Sequence, residues 1–289
     1  MAPTAGTVTG CRYDDPSRDG WRRITLLAHD RYCDEVINQT ELLRKVVEGA
    51  DLSVTVPTTP DWTLAQLLRH VGGNLRASET AVRTGTAVVE PAKQVPEVAG
   101  PATDDPDALD AWLAEGAARW AETLRRAGPD VWTQIWVYQQ PTGFWARRAA
   151  QDLVVHRADA AGAVEADYAV APDLAADAVD ELLELISDPM VRSGTPSLQE
   201  LRGTGETIHL HATDTDPGLS AEWLIELGPD GFTWRRGHDK GTVALRGPLT
   251  DVLLVFYRRL PATSQRVEVL GDAALLDFWL DRVRLQGPQ

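Results

Sequence analysis

The apolar periodicity of the chain changes near Gly194, and this change constrains the fold more than any other feature of the sequence. Before it, apolar residues recur three or four positions apart, the spacing that gathers them on one face of a helix. After it, residues 207–212 and similar segments alternate apolar with polar residues, as half-buried strands do. We therefore predict a mainly helical first part, 21–195, followed by a small α+β domain, 196–289, with a boundary near 190–205.

Helix signals divide the first part further. We predict five helices, at about 21–47, 61–84, 106–127, 144–162 and 172–187. Thr63 and Gln66 are spaced as a capping box at the start of the second helix. The intervening segments 51–60, 86–103 and 130–143 are expected to be loops, and residues 1–20 a flexible tail.

The second part is predicted to contain five strands and two helices. The strands are expected at 207–212, 221–227, 232–235, 242–246 and 266–270. The helices are expected at 249–259 and 272–285. Gly228-Pro-Asp-Gly231 has the composition of a hairpin turn between the second and third strands.

Charge and composition narrow the classes of partner. The formal net charge is −15 with a pI near 4.8, a field that repels nucleic acid and anionic lipid. The sequence has no run of about 18 apolar residues that would predict a membrane span, and no evident signal peptide. The two cysteines, Cys11 and Cys33, form no Cys-x-x-Cys pattern and are interpreted as bystanders. A reducing, cytoplasmic location is the natural expectation.

Asp152 and His156 are four residues apart in the helix predicted at 144–162, so they share one face. That face otherwise carries Trp145, Ala149 and Leu153, a stripe expected to face the core. A carboxylate and an imidazole in an apolar setting require compensation, from a bound metal or from a hydrogen bond between them. His70, on the second helix beside small neighbours, offers a third ligand. Two imidazoles and a carboxylate suit zinc, nickel or iron(II) and leave a coordination position open.

Other histidines and the tryptophans give weaker signals. His209 and His211 alternate on a predicted strand and could bind a metal, but partly buried strand histidines are the favoured interpretation. His29 and His238 carry no pattern. Four tryptophans stand near the candidate site in sequence and fit either core filling or a ligand-lined cavity: Trp62, Trp132, Trp136 and Trp145.

Three stretches resemble the mycothiol-dependent maleylpyruvate isomerase family of actinobacteria, within the DinB-like four-helix-bundle superfamily. Trp62-Thr-Leu-Ala-Gln-Leu-Leu-Arg-His70 is similar to the family's W-[ST]-x-x-[DE]-x-x-x-H, with Gln66 at the usual acidic position. Residues 151–160, Q-D-L-V-V-H-R-A-D-A, resemble H-E-x-x-x-H-R-x-D-A. Residues 242–259 are similar to the sterol-carrier-like C-terminal domain, with Tyr257-Arg258-Arg259 in place of W-G-R.

The resemblance implies a metal bound by His70, Asp152 and His156, and a mycothiol cofactor whose sulfur adds to an electrophilic carbon. Zinc is the expected metal, with nickel and iron as alternatives. Asp152 departs from the family's glutamate by one methylene, and Gln151 replaces the usual preceding histidine.

Four further residues are candidates for roles around the metal. We predict Arg259, which matches the family's arginine, and Arg148 as catalytic residues. An exposed helix-end position for Arg259 and an ordinary ion pair for Arg148 are the alternatives. Asp159 could orient a metal ligand or serve as a pairing carboxylate, and Arg157 could form a salt bridge or bind a substrate carboxylate.

The resulting hypothesis is a metal- and mycothiol-dependent S-transferase or cis–trans isomerase that acts on an electrophilic small molecule. Its expected partners are this substrate and a low-molecular-weight thiol, in a monomer or homodimer. Two other classes stay open. One is a non-catalytic small-molecule-binding protein with the same fold; the other is a hydrolase or cyclase that uses metal-activated water without a thiol.

Overall fold

The structure, a computed structural model, describes residues 27–283 and contains a mainly helical part followed by a small α+β part. The predicted tail at 1–20, residues 21–26 of the predicted first helix and residues 284–285 of the last helix lie outside this range. The long helices of the first part are α1 (His29–Val46), α2 (Leu64–Thr84), α4 (Pro106–Ala127) and α5 (Thr142–Ala163), with a short α3 (Pro91–Gln94) between them.

The bounds of several helices follow from local chemistry. The Thr63 side chain accepts from the Gln66 backbone N–H while the Gln66 side chain accepts from the Thr63 N–H, so the predicted capping box is confirmed. Helix α4 begins with Pro106 in its first turn and ends at Gly128, whose φ of 70° is one that glycine adopts at little cost. Its predicted range of 106–127 is confirmed.

Two of the predicted loops are β-hairpins. Strands β1 (Thr55–Val56) and β2 (Thr59–Thr63) pair directly before α2, and β3 (Trp132–Ile135) pairs with β4 (Tyr138–Pro141) directly before α5. Strands of two to five residues are too short to show an alternating pattern, so the prediction of irregular loops was wrong there. The two hairpins lead into the two helices that carry the candidate ligands.

The helical part has its own apolar core. Helices α1, α2, α4 and α5 pack against one another around fully buried side chains that include Leu43, Leu67, Leu113 and Trp120. Among residues 27–283, no helix combines the length and the apolarity needed to cross a bilayer.

The α+β part is built on a five-stranded sheet. In chain order its strands are β5 (Glu206–Ala212), β6 (Glu222–Gly228), β7 (Gly231–Arg236), β8 (Val243–Gly247) and β9 (Glu268–Gly271), arranged β7-β6-β5-β8-β9. All neighbours are antiparallel except β5 and β8. The turn at 228–231 joins β6 to β7 as predicted.

Helices cover one face of this sheet. Helix α6 (Pro172–Ser187) precedes it, followed by two short helices, α7 (Pro189–Gly194) and α8 (Pro196–Gln199). Helices α9 (Leu249–Phe256) and α10 (Ala273–Arg282) pack on the same face. The alternating residues Ile208, Leu210 and Ala212 of β5 face this core. The opposite face of the sheet is polar and carries His209 and His211.

Helix α6 belongs to the second core. Its residues Leu174, Val179 and Leu183 are fully buried together with the inner side chains of the sheet. Packing therefore favours a boundary between α5 and α6, earlier than the predicted 190–205, because α6 lies on the sheet.

A buried ion pair joins α6 to the sheet. Asp180 is fully buried, accepts from Trp223 Nε1 at 2.7 Å and pairs with Arg236 Nη2 at 2.6 Å. The guanidinium compensates the cost of burying this carboxylate.

Replacing Arg236 by alanine should lower the free energy of unfolding by about 3 kcal/mol or more, because a buried charge loses its partner. Arg235→Ala is the matched control, since Arg235 pairs with Asp239 on the surface and both side chains are more than half exposed. It should change stability by less than about 0.5 kcal/mol. Urea unfolding of both variants measures the difference, and equal effects would contradict the role given to Asp180.

Candidate metal centre

The structure brings together the three side chains predicted as metal ligands. His70 lies on α2, and Asp152 and His156 lie one turn apart on α5. Each offers a ligand atom within 4.8 Å of the other two. All three side chains are partly buried, in a region where α2 and α5 meet α6 and the segment after α9. The arrangement can hold a cation between two helices.

Aromatic rings line one side of the group. The His70 and His156 rings lie edge to face with centroids 5.0 Å apart, and the centroid of the Trp62 ring is 4.9 Å from that of His70. Trp62 is delivered by β2 just before the Thr63 cap. Of the four tryptophans noted in the sequence, Trp62 makes the ring contact with a candidate ligand, while Trp145 is buried in the helical core and Trp132 is largely exposed.

Asp159 anchors His156. Its carboxylate is almost completely buried, and its Oδ2 lies 3.0 Å from His156 Nδ1. Thr58 Oγ1 donates to Oδ1 at 2.5 Å. Arg259, beyond α9, donates from Nε to Oδ1 at 2.9 Å and from Nη2 to Oδ2 at 3.0 Å. The carboxylate therefore fixes the imidazole ring and leaves Nε2 facing Asp152, 3.7 Å from its Oδ2.

Asp152 is held by two neighbours. Arg148, one turn earlier on α5, places Nη2 3.5 Å from Asp152 Oδ1 and directs Nη1 to both oxygens of Glu181 on α6 at 2.5 Å. Asn74 on α2 lies with Nδ2 3.1 Å from His70 Nε2 and also hydrogen-bonds Asp152. Asn74 was not among the residues predicted from the sequence. Its position four residues after His70 places both side chains on one face of α2, and this spacing was the signal that could have identified it.

The protonation states of His70 and Asp152 suit cation binding, whereas His156 holds its proton more tightly than an ordinary histidine and must release it to ligate a cation. Burial, with the nearby charge of His156, lowers the pKa of His70 to about 4, so this imidazole is neutral near pH 7. Burial alone would raise the pKa of Asp152, but the charges of His156 and Arg148 lower it overall, which keeps the carboxylate ionised. Burial alone would lower the pKa of His156, whereas Asp152 and Asp159 raise it above its ordinary value.

The predicted core stripe of α5 is buried at Trp145 and Leu153, as expected, but not at Asp152 and His156. Both residues, with Ala149, are only partly buried, whereas the polar Gln151 and Asp159 are buried almost completely. Helix α5 is covered on nearly every side because it packs against other helices of the first part and against α6. The least covered line of the helix therefore carries the two candidate ligands, and an apolar pattern alone does not reveal it.

Two other sequence expectations are settled by contacts. Arg157 lies away from the candidate ligands and donates to Gln39 Oε1 at 2.9 Å and to the Ala169 carbonyl at 2.7 Å. The partners of these donors are neutral oxygens, and within residues 27–283 the predicted salt bridge of Arg157 is not found. Cys33 is buried, and burial raises the pKa of its thiol to about 11, which keeps it protonated. Cys11 lies outside the described residues.

Asp159→Asn should lower the pKa of His156, because the substitution removes the anion that favours the imidazolium. NMR titration of the metal-free protein measures this pKa. Asp61→Asn, which removes an exposed carboxylate before the α2 cap, should leave it unchanged. The His70 imidazole should titrate near pH 4 in the wild type. An unchanged His156 pKa in Asp159→Asn would contradict the anchoring role.

Two family models match the chain in succession. The mycothiol maleylpyruvate isomerase N-terminal domain matches residues 33–161, and the C-terminal domain of the same family matches residues 173–278. The first range contains all three candidate ligands, and the second contains α9, Arg259 and the sheet. The gap between the two matches falls between α5 and α6.

Solved structures show the same fold. The crystal structure of the mycothiol-dependent maleylpyruvate isomerase is 16% identical in sequence, with a TM-score of 0.54, and the match covers 84% of this chain and 93% of that chain. A variant of that enzyme with one histidine replaced by alanine gives the same values. A comparison with curated protein sequences found no match. On the two family models, which together span most of the described residues, the chain belongs to the mycothiol-dependent maleylpyruvate isomerase family.

Proposed function

We propose that the protein is a metal-dependent enzyme that uses mycothiol to isomerise, or to transfer the thiol to, an electrophilic small molecule. The observation that carries this proposal is the convergence of His70, Asp152 and His156 within 4.8 Å. Family membership supports the thiol, since the related solved structures are of a mycothiol-dependent isomerase.

The residues present fit a divalent metal. His70 is held neutral by burial, and Asp152 is held ionised by its cationic neighbours. Asp159 restrains His156 through the nitrogen remote from Asp152, the carboxylate–histidine arrangement that orients imidazole ligands at zinc sites. We propose zinc as the metal because two nitrogens and one carboxylate oxygen form a typical catalytic zinc ligand set.

Asp152 replaces the family's glutamate, and its surroundings support a role as a ligand. Arg148 and Asn74 restrict the short side chain from two sides. Asn74 also reaches His70, so its amide joins two of the three candidate ligands. We infer that these contacts keep the carboxylate close to both imidazoles despite the lost methylene.

The chemistry divides between the bound groups and the chain. When bound, the metal lowers the pKa of a thiol, and mycothiol provides the sulfur nucleophile that adds to an electrophilic carbon. The chain's own residues hold the ligands, and the Trp62 ring shields His70. Addition to a conjugated double bond would permit rotation before elimination, which is the isomerase chemistry that the related structures favour.

Arg148 and Arg259, predicted from the sequence as catalytic, are proposed here as positioning residues. Arg148 contacts Asp152 and Glu181, and Arg259 contacts Asp159 with two nitrogens and the Tyr257 carbonyl with the third. Arg148 thus holds the candidate ligand Asp152, and Arg259 holds Asp159, which in turn orients His156. Arg259 comes from the part of the chain that matches the C-terminal domain model. We therefore propose that this domain completes the site and closes one side of the substrate pocket.

The metal proposal is tested by removing ligands. His70→Ala and Asp152→Asn should each reduce zinc affinity at the site between α2 and α5 by about 100-fold or more, because each removes one of three protein ligands. Asp152→Glu restores the family's ligand and should retain the metal. His29→Ala is the control, since His29 bonds the Leu124 carbonyl far from the site in sequence and contact. Elemental analysis and competition with a chelating dye measure binding. Wild-type affinity in His70→Ala at this site would contradict the proposal.

The thiol proposal is tested separately. Mycothiol should raise the melting temperature of the zinc-loaded wild type by several degrees at 100 times its Kd, and should not stabilise His70→Ala. Isomerisation of a maleylpyruvate-type substrate should require mycothiol. Zinc-dependent activity without a thiol would favour the hydrolase or cyclase alternative, and ligand binding without turnover would favour the non-catalytic binding protein.

Arg259→Ala should reduce kcat/KM with mycothiol by about 10- to 100-fold, because His156 would be misplaced. Removing a group that supports a metal ligand typically lowers activity by about this factor. Arg259→Lys should rescue the activity only in part, because lysine cannot form the two-nitrogen contact with Asp159. If Arg259 instead bound the substrate, the loss would lie in KM alone and zinc affinity would not change. Zinc affinity and the kcat–KM split together distinguish the two roles.

A further inference from the structure

A second cluster of histidines lies in the α+β part, far from His70 in the fold. The protein has six histidines, and three of them, His209, His211 and His238, surround the carboxylate of Glu222. Their ligand atoms lie within 4.8 Å of one another. The cluster takes no part in the function proposed above.

Three histidine side chains converge on one oxygen of the fourth residue, Glu222. Glu222 Oε2 lies 2.8 Å from His209 Nε2, 2.7 Å from His211 Nδ1 and 2.7 Å from His238 Nδ1. The three rings meet nearly edge to face, with centroids 5.4 to 5.7 Å apart. A carboxylate oxygen offers two lone pairs, so three N–H donors at these distances exceed what it accepts well. Three imidazole nitrogens gathered at one carboxylate oxygen are instead the donor set of a four-coordinate metal.

The register of two strands and the segment after β7 bring these residues close together. His209 and His211 are two positions apart on β5, so both project from the polar face of the sheet. Glu222 is directly opposite His211 in the register of β5 and β6. The segment after β7 then brings in His238.

Two glycines shape that segment. Gly237 has a φ of 149°, and its N–H donates to the Glu222 carbonyl at 2.9 Å. At Gly241 a Cβ would lie 2.6 Å from the Val243 carbonyl oxygen and 3.0 Å from the His209 backbone nitrogen, so only glycine fits against β5 there. The segment 237–242 is therefore held against β5 and β6, the strands that carry the other three residues of the cluster.

We propose that His209, His211, His238 and Glu222 form a second metal site, for a divalent transition cation of the zinc type. Imidazole nitrogens select zinc, nickel or copper over calcium or magnesium, which prefer all-oxygen sites. Four protein ligands occupy a tetrahedral shell completely, which is typical of structural zinc sites and distinguishes this cluster from the three-ligand group on α2 and α5.

The surroundings agree with this assignment. The His209 side chain is almost completely buried on β5. His238 has a side chain that is 73% exposed, so a cation can enter from solvent. Zinc at 2.0–2.1 Å from each ligand would separate neighbouring ligand atoms by about 3.4 Å. Binding thus needs the three nitrogens and Glu222 Oε2 to separate by roughly 0.6 Å.

A metal bound by these four residues is expected to link the segment 237–242 to strands β5 and β6. A bound ion would join an exposed loop to the centre of the sheet and stabilise the α+β part. This inference does not depend on the thiol-dependent function, because the two ligand sets share no residue.

Zinc stoichiometry in single and double variants tests the site. After chelator treatment and reloading with zinc alone, the wild type should hold two ions per chain, His70→Ala one, His238→Ala one, and the double variant none. His238 is exposed, so its replacement should leave the fold of the metal-free protein intact, which circular dichroism checks. His29→Ala, the histidine outside both clusters, should still hold two ions.

Cobalt provides a second readout in the His70→Ala background. Co²⁺ should give the visible absorption of a tetrahedral ion, and His238→Ala or Glu222→Gln should abolish it. Zinc should raise the melting temperature of His70→Ala by about 5 °C at 100 times its Kd, and should not raise that of the double variant. One ion in the wild type and none in His70→Ala would overturn the second site. Equal zinc content in His70→Ala and the double variant would overturn it too.

Discussion

The Asp159 carboxylate is the contact on which the candidate centre depends. It is almost completely buried and is shared by a histidine on its own helix, a threonine from the β1–β2 hairpin and an arginine that follows α9. Each donor comes from a different region of the chain, so the side chain joins those regions at one point. Because a buried carboxylate without partners is costly, the three donors and Asp159 stabilise one another. The orientation of His156 follows from that mutual restraint.

Ion pairs between α5 and α6 likewise hold buried charged groups in place near the candidate centre. Arg147 pairs with Asp177 and Glu184, and its neighbour Arg148 pairs with Glu181. These contacts hold the helix that carries two candidate ligands against the helix that supports the sheet. Burial alone would lower the pKa of Arg148, but its acidic neighbours raise it above the ordinary value. A permanent cation therefore lies beside Asp152, where it favours the ionised carboxylate that a metal requires.

Local signals in the sequence predicted much of the fold. Prolines in the first turn and the Thr63–Gln66 box define the starts of α2, α4 and α6, and these bounds agreed with the structure within a few residues. The short hairpins were missed because two to five residues do not establish a period. The burial of α5 on nearly all sides also escaped prediction, since it arises from the packing of α1, α2, α4 and α6 around the helix rather than from the helix's own pattern.

The two clusters differ in how far a sequence can predict them. Asp152 and His156 are one helical turn apart, and His70 was added through its motif. Glu222 and His238 join His209 only through strand register and a glycine-shaped segment, and neither has a local signal. Asn74 and the contact of Arg259 with Asp159 likewise depend on tertiary packing. Spacing along one element can indicate candidate ligands, whereas the residues that orient them come from elements distant in the sequence.

The central claim is that His70, Asp152 and His156 bind a metal, and anomalous diffraction from zinc-soaked crystals tests it most directly. The account predicts an anomalous peak about 2.0–2.2 Å from a nitrogen of each imidazole and from an Asp152 oxygen, with the Asn74 amide displaced from His70. A map with no peak among these three side chains, in crystals whose zinc content is otherwise demonstrated, would contradict the account.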